Sequence, residues 1–98
     1  MTVDIEKNNQ TVILKVEGRL DTTTAPALEK TVNEVCENAK ELVLNLEKLT
    51  YISSAGLRVL LAAQKKMNQQ GSMKLIRVCQ EVMDVLEMTG FADILVIE

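Results

Sequence analysis

The chain has 98 residues, a net charge of −3 and a hydrophobic fraction of 47%, the proportions of one small globular domain. Aromatic residues make up only 2% and no basic stripe is present, which disfavours nucleic acid as a partner because base stacking and phosphate neutralisation both lack their residues. The chain has no histidine, which removes Ser-His-Asp and Cys-His catalysis and most zinc sites.

Apolar runs and cysteines favour a cytoplasmic protein. The longest uninterrupted apolar run, Val59 to Ala63, is far too short to cross a membrane. The N-terminal residues alternate and carry charge, unlike a signal or transit peptide. Cys36 and Cys79 lie far apart and form no CxxC motif, so we expect buried free thiols in a reducing compartment. We expect no cofactor, no metal and no membrane insertion.

The first forty residues predict a β-hairpin and a helix. Apolar residues alternate with polar ones on both sides of Asn8-Asn9-Gln10, a pattern typical of two strands joined by a tight turn. The second strand ends at GRLD, residues 18 to 21. Thr22 to Thr24 then offer hydroxyls for a helix N-cap, and Pro26 falls in the first helical turn. The apolar residues of this helix are spaced by four, three and four: Leu28, Val32, Val35 and Ala39.

The rest of the chain predicts strands that alternate with helices. The strands are ELVLNL (41–46), MKLIRV (73–78) and ILVI (94–97), with helices from about 55 to 70 and over 82–89. Gly71 and Gly90 are placed to end these helices. The predicted order is β-β-α-β-α-β-α-β. Right-handed crossovers then give an α/β fold, a single domain over residues 1–98 whose mixed, mostly parallel sheet is covered by helices and has an antiparallel N-terminal edge.

The segment TYISSAGLRVLLAAQKK, residues 50 to 66, carries the features best suited to a function. It follows a buried strand, and functional surfaces of open α/β sheets gather at the carboxyl ends of strands. Ser54 is placed as the helix N-cap, with its hydroxyl accepting from an N–H near Leu57. Gly56 weakens the helix, which suggests close approach by another group. A purely structural interpretation also fits, in which Ser54 caps, Ser53 fills a turn and Gly56 permits packing.

Two functional interpretations stand beside the structural one. A phosphate on a serine here would lie at the positive end of the helix dipole, and Arg58 is placed to reach back toward it or to remain an exposed cation on the polar face. Ser54 as a catalytic nucleophile is disfavoured, because Ser-Ala-Gly is not the GxSxG elbow and no histidine is present. The lysines available as bases are predicted to be solvated: Lys48, Lys65 and Lys66. We therefore expect no enzymatic activity.

LNLEKLTYISSAGLRVLLAAQKK resembles the signature of the STAS domain, and specifically that of the bacterial anti-sigma factor antagonists. GRLD resembles the Gly-x-Leu-Asp at the entry to the first helix of that family. VCQEVMDVLEMTGFADIL, residues 78 to 95, resembles its short third helix, followed by Thr-Gly and the last strand. The three motifs occur in the family's order and span nearly the whole chain.

This resemblance implies a switch. The unphosphorylated protein would bind an anti-sigma factor with histidine-kinase-like serine kinase activity, phosphorylation would release it, and a PP2C-type phosphatase would restore it. The phosphoacceptor falls on Ser54 when Gly56-Leu57 is matched to the family's Gly-Leu. Ser53 stands where the family often has Asp and adds a second hydroxyl, and it is the less favoured choice. The implied partner-binding surface comprises Asp21, Thr22, Thr23, Ser53, Ser54, Ala55, Gly56 and Arg58. The alternative is a non-phosphorylated STAS scaffold, or a subunit of a transporter or signalling complex.

Overall fold

The computed structural model describes every residue from Met1 to Glu98 and has the predicted α/β class. It contains five strands and three helices, with a 3₁₀ turn at Phe91–Asp93. In chain order the elements are β1 (Thr2–Asn8), β2 (Thr11–Leu20), α1 (Ala25–Val35), β3 (Glu41–Asn45), β4 (Leu49–Ile52), α2 (Ser54–Gln70), β5 (Ser72–Ile76) and α3 (Gln80–Met88).

The sheet is mixed and mostly parallel, as the sequence predicts. β1 and β2 form the antiparallel hairpin, and its turn includes Asn9 at a φ of 59°, a conformation that asparagine tolerates. β3 lies between β2 and β5 and is parallel to both, so the prediction of a central parallel strand at ELVLNL is confirmed. The strand order is β1-β2-β3-β5, and β4 pairs with β2 beyond the end of β3.

β4 corrects the predicted element order. We expected residues 47 to 52 to be a plain connection, but after β3 a turn closes with a hydrogen bond from the Leu49 N–H to the Leu46 carbonyl at 3.1 Å. The chain then pairs again with β2, with Ile52 opposite Leu20. β2 is long enough to pair with β3 through residues 11–15 and with β4 through residues 18–20. β4 thus satisfies backbone groups of β2 that β3 does not reach.

The prediction of a last strand at ILVI, residues 94–97, is wrong. Ile94 has helical backbone angles at the end of the 3₁₀ turn, so only the residues after it can extend along the sheet. Ile97 forms a single parallel bridge to Leu75. Two backbone hydrogen bonds of 2.9 Å accompany it, from the Leu75 N–H to Val96 and from the Glu98 N–H to Leu75.

One apolar core lies between the helices and one face of the sheet. Side chains at the sheet edge and on the helix flanks are less buried: Ile5 and Thr89 are exposed, and Val3, Val35, Leu61 and Val85 are half-buried. Ala39 is buried, but it lies beyond the end of α1. Both thiols are free. Cys36 is buried, whereas Cys79 is half-buried and donates to the Leu49 carbonyl at 3.1 Å.

Gly56 allows α2 to begin directly against the sheet. A Cβ at this position would lie 2.7 Å from Leu20 Cγ and 2.9 Å from Ile52 Cγ1. Both side chains belong to the buried core. The close approach that the sequence suggested is therefore made by side chains at the ends of β2 and β4.

We expect Gly56→Ala to lower the free energy of unfolding by about 1–3 kcal/mol, because the added methyl group overpacks this contact. Helix propensity alone predicts the opposite sign, a gain of up to ~1 kcal/mol. Urea denaturation followed by circular dichroism measures the difference. Ala62→Gly, at an exposed position of the same helix, calibrates the propensity effect. A variant Gly56→Ala as stable as the wild type, or more stable, would contradict the packing argument.

Candidate functional site

The carboxyl ends of β2 and β4 lie side by side, and each leads into the N-terminus of a helix. Leu20 pairs with Ile52, and the Ser53 N–H donates to the Leu20 carbonyl at 2.9 Å. Asp21 and Ser53 are therefore the first residues beyond two adjacent strand ends. This arrangement joins the GRLD and SSAG motifs, which are far apart in the sequence, on one edge of the sheet.

Asp21 organises the loop before α1. Its Oδ1 accepts from the Thr23 hydroxyl at 2.7 Å, from the Thr23 N–H at 3.0 Å and from the Thr24 N–H at 3.1 Å. These hydrogen bonds, led by that of the Thr23 hydroxyl, hold the pKa of Asp21 below its ordinary value of 3.8, while desolvation opposes them. The carboxylate is thus fixed in its ionised form at neutral pH.

Thr24 completes this loop in a way that the sequence did not predict. It is the N-cap residue of α1, but its side chain makes no capping hydrogen bond to the helix. Its hydroxyl instead accepts from the Asp21 N–H at 2.8 Å and donates to the Arg19 carbonyl at 2.9 Å. The threonine therefore ties the loop back to the end of β2. Pro26 lies in the first turn of α1, as predicted.

Ser53, rather than Ser54, is the N-cap of α2. Its backbone is extended, and its Oγ accepts from the Gly56 N–H at 3.4 Å. Ser54 is the first helical residue; it is exposed, and its hydroxyl makes no hydrogen bond within the protein. The predicted cap was wrong by one residue. One serine hydroxyl is consequently used by the fold and the other is free.

The other residues of the predicted surface differ in accessibility. Thr22 and Thr23 are exposed beside Asp21. Ala55 is half-buried, and Gly56 is buried under the start of α2. Arg58 is exposed one turn into the helix and takes part in neither of the two ion pairs of the chain, Lys74–Glu98 and Arg77–Glu47. The exposed members therefore lie on the loop and on the first turn.

Two side chains that the sequence analysis did not single out flank this edge. Arg19 and Tyr51 lie opposite each other on β2 and β4, and the guanidinium carbon is 4.1 Å from the ring centroid, a cation–π contact. The register shifts here, leaving Thr50 as an extra residue whose hydroxyl donates to the Gly18 carbonyl at 3.1 Å. The strand-forming Thr-Tyr-Ile run was the available signal for β4, and with it for this pair.

No side chain is arranged to activate Ser54 as a nucleophile. The lysines considered as bases make no hydrogen bond to it, and Lys48 and Lys65 are exposed while Lys66 is half-buried. No group of three or more His, Cys, Asp or Glu side chains is placed to hold a metal ion. None of the three helices combines the length and apolar character needed to span a bilayer. What the edge does offer is a free hydroxyl, an ionised carboxylate and exposed polar side chains at a helix N-terminus.

Two curated relatives match this chain over nearly its whole length. The anti-sigma-B factor antagonist of Bacillus subtilis is 28% identical over 96 residues, which is 97% of this chain and 88% of the relative. The putative anti-sigma factor antagonist BtrV of Bordetella bronchiseptica is 34% identical over 96 residues, which is 96% of this chain and 83% of the relative.

Solved structures share the fold. An anti-sigma factor antagonist from Mycobacterium paratuberculosis has a TM-score of 0.88 at 24% identity, covering 98% of this chain and 83% of its own. The anti-sigma factor antagonist SpoIIAA in its unphosphorylated form has a TM-score of 0.78 at 16% identity, covering 99% and 87%. The Bacillus cell fate determinant SpoIIAA in the phosphorylated form gives 0.77 at 16% identity, covering 99% and 91%.

The decisive comparison is with the family model described as the STAS domain, which matches residues 2–98. It agrees with the architecture above and with the two relatives, whose matches extend through both motifs of the edge. This chain belongs to the STAS domain family.

Proposed function

We propose that this chain is an anti-sigma factor antagonist whose binding surface is formed by residues 21–24 and the first turn of α2, and that phosphorylation of Ser54 releases the partner. The observation that carries the proposal is the exposed, unbonded Ser54 hydroxyl at the first position of α2, beside the Asp21 loop. The names of the two curated relatives support the class of partner. In this proposal the anti-sigma factor is a histidine-kinase-like serine kinase, and a PP2C-type phosphatase removes the phosphate in the cytoplasm.

The two serines differ in their exposure and in their hydrogen bonds. A phosphate on Ser54 would meet first-turn N–H groups that have no helical partner, at the positive end of the helix dipole. Ser53 is half-buried and its Oγ already accepts from the Gly56 N–H, so its hydroxyl is less accessible to a kinase. These differences favour Ser54 as the acceptor.

Phosphorylation at this position changes charge without requiring a change of fold. The phosphate adds about −1.5 to −2 charge next to the Asp21 loop, which already carries an ionised carboxylate. A partner docked against the uncharged helix start would then face a dianion that is costly to desolvate, and any carboxylate nearby would be repelled. We therefore expect phosphorylation to act at the interface itself.

The first test is the identity of the acceptor. Incubation with the cognate anti-sigma factor kinase and ATP, followed by intact-mass measurement, should show one added phosphate on the wild type and on Ser53→Ala, and none on Ser54→Ala. Ser72→Ala, at an exposed serine outside this edge, is the matched control and should accept one phosphate. Loss of the phosphate in Ser53→Ala with retention in Ser54→Ala would move the acceptor to Ser53. No phosphate on the wild type would favour the unphosphorylated STAS scaffold or subunit.

The second test separates binding from stability. We expect Ser54→Asp to weaken binding of the anti-sigma factor by roughly tenfold or more, because it places a fixed negative charge in the interface. Its thermal midpoint should stay within a few degrees of the wild type, since an acidic residue in the first turn is favourable to the helix dipole. Calorimetric titration and thermal denaturation measure the two effects. Ser72→Asp makes the same charge change elsewhere and should leave binding unchanged. Wild-type affinity in Ser54→Asp would mean that the start of α2 is not part of the interface.

The third test concerns the loop that forms the other half of the surface. Because its pKa is lower in the folded state, the Asp21 carboxylate contributes stability above about pH 3.8, and this contribution is lost as the pH falls through the folded pKa. The free energy of unfolding of the wild type should therefore exceed that of Asp21→Asn near neutral pH, and the gap should narrow in acid. Thr23→Val removes the leading hydrogen bond. At neutral pH, the difference in the free energy of unfolding between Thr23→Val and the double variant Thr23→Val/Asp21→Asn should therefore be smaller than the difference between wild type and Asp21→Asn. Urea titrations at several pH values measure it, and parallel profiles for wild type and Asp21→Asn would refute this role.

A further inference from the structure

We propose that Arg19 and Tyr51 extend the docking surface and that Arg19 binds an Asp or Glu side chain of the anti-sigma factor. The inference rests on the proposed function, because it assigns a role within the same interface. It concerns two residues outside the motifs from which that function was argued. The assignment depends on where Arg19 and Tyr51 lie in the structure and not on a sequence motif.

The contacts of Arg19 and Tyr51 within the protein do not explain why both side chains are exposed. Arg19 is exposed and takes part in neither ion pair of the chain, and its guanidinium makes no hydrogen bond within the protein. Tyr51 is 40% exposed, one of the few large hydrophobic side chains left at the surface. The contact between them, a cation 4.1 Å from the ring centroid, contributes modestly at an exposed site. The guanidinium donors therefore remain available for an acceptor from outside.

The surrounding backbone holds the pair in place. The extra residue Thr50 shifts the register so that Tyr51 lies opposite Arg19, and its hydroxyl bonds to the Gly18 carbonyl. On the other side, the Arg19 carbonyl accepts from the Thr24 hydroxyl at 2.9 Å. The backbone positions of both residues are thus fixed, and arginine and tyrosine are among the residues that contribute most at protein interfaces.

The pair is continuous with the proposed surface but lies on the other side of the sheet from α2. Arg19 lies on β2, two residues before Asp21, and Tyr51 lies on β4, two residues before Ser53. Arg19 alternates with the buried Leu20, against which α2 packs through Gly56. Arg19 is therefore placed at the rim of the interface and not over Ser54, which favours an acceptor on the partner over the phosphate of this chain.

Chemistry specifies the acceptor as a carboxylate. The guanidinium presents five N–H donors in a planar fork that matches a carboxylate in two parallel hydrogen bonds. The chain has a net charge of −3. Because Arg19 is an unpaired cation at the rim, it attracts an acidic side chain of the partner to a protein that is otherwise acidic. We therefore expect the ligand of Arg19 to be a carboxylate side chain of the partner protein.

The experiment is calorimetric titration of the unphosphorylated chain with the cognate anti-sigma factor at low and moderate salt. We expect Arg19→Ala to bind roughly tenfold more weakly or worse, in line with loss of a charge-assisted hydrogen bond, and with a smaller salt dependence than the wild type. Arg19→Glu should bind more weakly still, and Tyr51→Ala should fall between wild type and Arg19→Ala. Arg77→Ala, which removes an exposed arginine whose partner Glu47 is in the chain itself, is the matched control and should bind within about twofold of the wild type.

The outcomes separate this inference from the function on which it rests. No binding by the wild type overturns the proposed function, and the inference falls with it. If the wild type binds and Arg19→Ala binds within twofold of it, the inference alone is overturned. Normal binding by Arg19→Ala combined with altered removal of phosphate from Ser54 also overturns the inference alone. If circular dichroism shows Arg19→Ala to be misfolded, Arg19→Lys decides the question. It keeps the charge but loses the fork, so affinity reduced severalfold supports the inference and unchanged affinity overturns it.

Discussion

The candidate site depends on the pairing of β4 with the last three residues of β2. This pairing sets Ile52 beside Leu20 and gives the Ser53 N–H its acceptor, so that two loops distant in the sequence leave the sheet at the same edge. Gly56 adds to it by letting α2 close over the same two side chains. β4 therefore fixes the start of α2 beside Asp21. The rest of the fold, with β3 at its centre, supplies the core against which this edge is held.

Chemically similar side chains at this edge differ in whether the fold uses their hydroxyls. Ser53 caps the helix, and Thr23 and Thr24 fix the Asp21 loop, so each of these hydroxyls is already used within the fold. Ser54 alone of the two adjacent serines is exposed and unbonded. A phosphate there would change the electrostatics of a preformed surface, which suits a switch that must act on a partner without unfolding its carrier.

The sequence predictions succeeded where the local pattern of residues determines the structure and failed where it does not. ELVLNL has the continuous apolar character of a strand buried on both sides, and it is the central strand. β4 was missed because the extra residue Thr50 breaks the two-residue alternation between Leu49 and Ile52. ILVI was misassigned because its apolar residues suggest a buried strand, whereas Ile94 and Val96 are about half exposed at 53% and 49%. The cap was misplaced by one because two adjacent serines are equal in sequence and differ only in backbone angles. The Arg19–Tyr51 pair depends on register between strands, which no local pattern encodes.

Hydrogen exchange of the unphosphorylated chain, with and without its anti-sigma factor, tests most directly whether this edge is the docking surface. Binding should slow exchange at the amides of residues 18–24 and 50–58 together, because the pairing of β2 with β4 makes them one surface. The hairpin turn around Asn9 and the end of α3, which lie outside this edge, should exchange as in the free chain. Protection confined to those remote segments, with residues 18–24 and 50–58 unchanged, would contradict the account.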